Sequence, residues 1–199
     1  MGYFGPPTDI EENRGSMNHQ RRKALAIIFS CSFLTVATLP ATAQRHASTG
    51  GEQPSLLGQY GDWGAYTGSS GGHKVCFALA KPESSQTNPP NRPRDPIYLF
   101  VSTRPAENVR NEISLMMGYP LKPNSDATAD ISGMKFALQT QADGAWVKNA
   151  AEERRMVDSM RKGSDLVVRG MSSRGTTTTD RYSLKGLTQA LDRVAQECR

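Results

Sequence analysis

The stretch Ser183-Leu184-Lys185-Gly186-Leu187-Thr188-Gln189-Ala190-Leu191-Asp192-Arg193-Val194-Ala195-Gln196-Glu197-Cys198 decides how this chain folds. Its apolar residues fall at 184, 187, 191, 194 and 198, in steps of three and four. That spacing keeps them on one side of a helix, so a single apolar stripe runs the length of the segment and ends in Cys198. Ser183 stands where an N-cap hydroxyl is wanted. A helix of this kind needs a surface to lie on, and Lys74-Val75-Cys76-Phe77-Ala78-Leu79-Ala80 offers one. Successive strand residues point to opposite faces. Val75, Phe77 and Leu79 therefore share one face and Cys76, Ala78 and Ala80 the other. The second face is small enough for a helix to approach closely, and it places Cys76 opposite Cys198.

Outward from these two segments the chain reads mostly as strands. Tyr60–Tyr66 is a glycine-loosened strand, and Ser69–Gly72 is a turn. Ile97–Thr103 and Arg110–Met117 are β-branched and aromatic runs that can pair across 104–109. Met134–Ala142 and Ala145–Asn149 flank Asp143-Gly144, a strong hairpin signal. Ala150–Lys162 reads as a helix with Met156, Val157 and Met160 on one face and Gly163 as its left-handed terminator. Asp165–Met171 and Thr176–Tyr182 follow as strands joined by Ser173-Arg174-Gly175. Two stretches give no strand signal. Lys81–Pro96 holds five prolines and no apolar period, which predicts a mobile loop dispensable to folding; Tyr119–Ser132 reads as an irregular connection. The resulting fold class is mainly β: an antiparallel β-sandwich of about eight strands with two short helices, the C-terminal one packed on the sheet. The alternative is an α+β layered fold.

The N-terminus sets the compartment. Met17-Asn18-His19-Gln20-Arg21-Arg22-Lys23 is a short basic region, Ala24–Leu39 an apolar run, and Ala41-Thr42-Ala43 the small-x-small pattern of a cleavage site. Residues 17–43 thus read as a signal peptide cut between Ala43 and Gln44. The apolar run is shorter than the roughly 20 residues of a membrane span, so no stable transmembrane anchor is expected after processing. Residues 1–16, with Asp9, Glu11 and Glu12, read as a start placed too early, with Met17 the true one, or as a disordered extension. Residues 44–58 are Gly, Ser, Pro and Gln-rich and are expected as a disordered lead-in to a single domain at 59–199. Two cysteines remain in that domain. In an oxidising compartment the isolated pair Cys76 and Cys198 reads as one disulfide, the alternative being two separate buried thiols.

The chain has 24 Lys and Arg against 19 Asp and Glu, net +5. Basic residues are interleaved with acids, as in Glu152-Glu153-Arg154-Arg155, and no basic stripe with aromatics occurs, so nucleic acid is not an expected partner. Gly68-Ser69-Ser70-Gly71-Gly72 matches the nucleophile-elbow pattern, but a strand follows it and no histidine lies beyond His73. It is better read as a turn. Asp62, His73 and His46 do not make a metal cluster. No phosphate-binding or dinucleotide fingerprint is present. Trp63 and Trp146 could be ligand platforms, though core positions are the commoner use. The threonine run 176–179 could be a docking edge or an ordinary solvated strand face. Paired carboxylates for glycoside cleavage cannot be located from sequence. No catalytic residue, cofactor or metal is therefore expected.

Gly61-Asp62-Trp63, Val75-Cys76-Phe77-Ala78, Lys162-Gly163-Ser164-Asp165-Leu166-Val167-Val168 and Tyr182-Ser183-Leu184-Lys185-Gly186-Leu187-Thr188-Gln189-Ala190-Leu191 together resemble the invasion-associated locus B family of exported bacterial proteins. The resemblance spans about residues 60–198. Many members carry an extra central cysteine pair near the position of Gly144–Ala150; this chain has none there, which implies a reduced-disulfide branch. The resemblance implies a periplasmic protein, possible outer-membrane association or secretion, and a contribution to host-cell interaction or invasion through an unidentified envelope or host protein. It brings no catalytic residues. The expected function is a non-enzymatic envelope binding or structural protein, the alternative a periplasmic hydrolase acting on an envelope polymer.

Overall fold

Cys76 and Cys198 are joined by a disulfide with their Cα atoms 6.0 Å apart, closing a loop of 122 residue steps. The computed structural model describes residues 53–199. The signal segment 17–43, its cleavage point at Ala43 and Gln44, residues 1–16 and most of the expected lead-in lie outside the described residues.

Among the described residues eleven strands form one antiparallel sheet in the order β1-β2-β3-β5-β6-β9-β8-β7-β10-β11-β4. They are β1 (Ser55–Tyr60), β2 (Trp63–Ser70), β3 (His73–Ala80), β4 (Ser84–Asn88), β5 (Tyr98–Arg104), β6 (Val109–Met116), β7 (Ala127–Ile131), β8 (Met134–Gln141), β9 (Gly144–Val147), β10 (Asp165–Met171) and β11 (Thr177–Ser183). A 3-10 turn, Pro105–Glu107, joins β5 to β6. The sheet folds over on itself. Trp63 Nε1 donates to Ser183 O at 2.9 Å and Asp62 N to Lys185 O at 3.2 Å, tying the start of β2 to the end of β11, eight places along the sheet. Between the two halves lie Trp63, Leu99, Ile113, Phe136, Leu138, Leu166 and Tyr182, all essentially without exposure. This is the expected β-sandwich-like architecture, with eleven strands rather than about eight.

Helix α2 (Leu187–Glu197) lies against β1, β2, β3 and β5. It buries Leu187, Ala190, Leu191 and Val194, and Cys76, Ala78 and Ala80 are fully buried beneath it, as the spacing predicts. Its start differs from expectation. The helix begins at Leu187 with Gly186 as its cap (φ 94°), and Ser183 ends β11 instead. A Cβ at Gly186 would sit 1.7 Å from Tyr60 O, so only glycine allows this approach. Helix α1 (Ala150–Lys162) has the predicted limits and buries Met156, Val157 and Met160. Asn149 caps it, accepting from the amides of Ala151 and Glu152. Gly163 is extended (φ −81°, ψ 167°), not the left-handed terminator expected.

Three strands lie where none was predicted. β1 begins at Ser55, inside the segment expected to be a disordered lead-in through residue 58, and Gly61-Asp62 separates it from β2. β7 carries Ala127, Ala129 and Ile131 on its buried face, within the connection read as irregular. β4 pairs with β11 from Ser84↔Arg181 to Asn88↔Thr177. The segment Lys81–Pro96 is therefore a strap hydrogen-bonded to the sheet edge, not a mobile loop.

A buried ion pair fastens the strap. Asp180 on β11 is fully buried and Arg94 nearly so. Arg94 spreads its guanidinium over five bonds: to Asp180 Oδ1 (2.6 Å) and Oδ2 (2.8 Å), to Ser85 Oγ (2.7 Å), and through Nε and Nη2 to Met117 O (3.1 and 2.6 Å). It also lies over the Tyr119 ring at 4.9 Å. Every donor of the fork has an acceptor, the condition under which a buried charge pair is tolerated.

Candidate functional groove

On the sheet face that carries Phe77 and Phe100, cross-strand pairing lines up residues that sequence scatters. Leu79↔Phe100, Phe100↔Ser114, Ser114↔Trp146 and Trp146↔Gln139 make one row across β3, β5, β6, β9 and β8. A second row runs Tyr66, Phe77, Ser102 and Glu112. The aromatics pack along this face: Tyr66 stacks on Phe77 at 5.4 Å, and Phe77 meets Phe100 edge-on at 5.8 Å. Gly144 keeps the floor low beneath Trp146, because a Cβ there would sit 2.3 Å from the indole ring. The hairpin turn is accordingly Ala142-Asp143, with Gly144 already in β9.

The result is a groove of about 470 Å³ lined by Phe77, Phe100, Met116 and Trp146, with Ser102, Ser114 and Gln139 as polar groups. That volume falls within the range of small-ligand sites, roughly 300–1,000 Å³. The groove is open on one side. Its end is formed by the 3-10 turn and the first turn of α1, where Arg104, Glu107, Glu112 and Glu153 gather.

This end is electrostatically uneven. Arg104 donates from Nε to Glu107 Oε2 (2.8 Å) and from Nη1 to Glu112 Oε2 (2.6 Å). Glu153 Oε1 accepts the Ile113 amide at 2.7 Å, an amide left over where β9 has ended. Partial burial pushes the Glu153 carboxyl above its usual range; the Ile113 amide and Arg104 oppose this and Glu112 reinforces it. Of the three carboxylates at this end, Glu112 and Glu153, the second with a raised pKa, invite an acid–base reading. Both are already engaged, however: Glu112 holds Arg104 and Glu153 holds a backbone amide.

The other sequence candidates fall elsewhere. Trp63 is a core residue and Trp146 lines the groove, so the two tryptophans take opposite roles. Ser69 and Ser70 end β2 and Gly71-Gly72 turns the chain into β3, a hairpin and not a nucleophile elbow. Asp62 and His73 are exposed at opposite ends of β2. The threonine edge is covered by β4, with Thr178 buried and bonded to the Tyr119 hydroxyl at 2.7 Å. Among the described residues no three His, Cys, Asp or Glu side chains converge as metal ligands, and no helix is long and apolar enough to cross a membrane.

Fold and groove thus define a disulfide-tied antiparallel β-sandwich that presents an aromatic groove on one sheet face. A family model described as Invasion associated locus B (IalB) protein matches residues 63–195, and the chain belongs to that family. The crystal structure of invasion associated protein B from Bartonella henselae is similar at 16% identity and a TM-score of 0.49, covering 72% of this chain and 97% of that one. No curated protein matches.

Proposed function

We propose that this is an exported, non-enzymatic envelope protein that binds a partner through the aromatic groove and contributes to host-cell interaction. The groove carries the reading: a concave apolar surface with a few fixed polar groups, on the face opposite the C-terminal helix, is what a binding module presents. Membership of an invasion-associated family supports the host-facing role. The signal-like segment 17–43 supports export to the periplasm, with outer-membrane association or release beyond it. The engaged state of Glu112 and Glu153 favours binding over hydrolysis of an envelope polymer.

Location and function are tested separately. N-terminal sequencing of the exported protein should read from Gln44, and a chain beginning upstream of Arg21 would contradict processing and restore an anchor. Purified protein assayed against peptidoglycan, ester and glycoside substrates should show no turnover; robust turnover would replace the binding role with the hydrolase.

A further inference from the structure

The groove has two unlike parts, an aromatic body and a charged end. At that end three carboxylates, Glu107, Glu112 and Glu153, face one guanidinium, Arg104. Arg104 is occupied by Glu107 and Glu112, so neither can direct its charge fully outward and neither can the arginine. Glu153 is left as the surplus. One of its oxygens takes the Ile113 amide, and its second oxygen has no partner among the described residues. The excess of negative charge is local, because the chain as a whole is net basic. An anionic ligand would meet repulsion here, and a neutral one would gain nothing from the carboxylates beyond hydrogen bonds. A cation gains both a partner for Glu153 and nearby ring faces: Phe100 and Trp146 can take aliphatic or aromatic side chains, and their π-faces attract positive charge.

We propose that the groove takes a short basic, apolar-rich peptide segment, a Lys or Arg at the Glu153 end and apolar side chains along Phe100 and Trp146. This rests on the groove being a binding site, as proposed above. The cation neutralises the surplus carboxylate, and the sheet face supplies apolar contact on either side of Trp146. A glycan is the competing occupant, since aromatic faces also stack on sugars; it makes no use of the charge imbalance.

Trp146 is the natural reporter, because the other tryptophan, Trp63, is sealed in the core. Its emission is to be followed while the purified exported protein is titrated with three probes. These are a hexapeptide amide alternating lysine with leucine and phenylalanine, the same peptide with glutamate for lysine, and chitohexaose. The lysine peptide should give a saturable change, at least about tenfold tighter than the glutamate peptide, and added salt should weaken it. A Glu112→Gln, Glu153→Gln double variant, checked by thermal melting to be folded, should lose about tenfold in affinity. Equal or tighter binding of the glutamate peptide would overturn the proposal. So would a response to chitohexaose alone, which leaves the groove a binding site for sugar. A Trp146 signal silent to all three probes, with host-cell binding undiminished in Trp146→Ala, would overturn the groove reading itself.

Discussion

Glu153 shows how one side chain can hold the fold and colour the groove at once. Its carboxylate receives the Ile113 amide at the point where β9 gives way to α1, and so continues the β6 ladder with a side chain. Partial burial raises its pKa, which means the folded protein binds that proton more tightly than the unfolded chain. The associated stability is complete below the ordinary carboxylate pKa and is lost as pH rises through the folded value. Glu153→Gln keeps an acceptor for Ile113 and removes the partly buried charge. The variant should therefore be more stable than the parent at pH 7–8, by under about 1 kcal/mol because the group is half exposed. The difference should vanish as the pH falls below about 4.5, the ordinary carboxylate value. Thermal melting across that range checks it; a gap that widens on acidification would contradict the assignment.

At the scale of elements, two long-range ties matter, and only one was legible in sequence. The disulfide was, because Cys198 ends an apolar helical stripe and Cys76 lies on a small strand face. Cys76→Ser should cost about 2–5 kcal/mol, and reduction of the parent should bring it to about the variant's stability in denaturant unfolding. The strap was not. Ser84–Asn88 contains no apolar residue, so no period marks it as a strand. It is held by backbone pairing to β11 and by Arg94, whose partner Asp180 is 86 positions away. Arg94→Ala leaves Asp180 buried without its counter-charge and should cost about 3–5 kcal/mol. It should also open the Glu83-Ser84 bond of the strap to a glutamate-specific protease, whereas in the parent the Glu83 amide donates to Arg181 O and the bond resists cleavage. Rapid cutting of the parent at that bond would mean the strap is loose. β7 escaped for a different reason: alanine is a weak strand former, so Ala127 and Ala129 give a faint alternation. Helix α1, with a full apolar face and acids before bases, was readable to its limits. The groove was the least readable part, since Phe100, Glu112, Trp146 and Glu153 meet only through strand register and a helix start.

The described residues form one long sheet folded over a single core, with α2 latched by the disulfide and the strap closing the far edge. That arrangement puts α2 on the face opposite Phe100 and Trp146, so that α1 meets the groove only at its charged end. Rigidity beneath this face is what a preformed binding surface requires, because little ordering is then left to oppose association. The most direct measurement is binding of the labelled, purified exported protein to cultured host cells. The parent is to be compared with a Phe100→Ala, Trp146→Ala variant and with Arg181→Ala on β11, outside the groove. With all three showing similar melting temperatures, cell binding should fall by about tenfold or more in the groove variant and stay near the parent's in Arg181→Ala. Undiminished binding by the groove variant would contradict the central claim that this face is where the protein meets its partner.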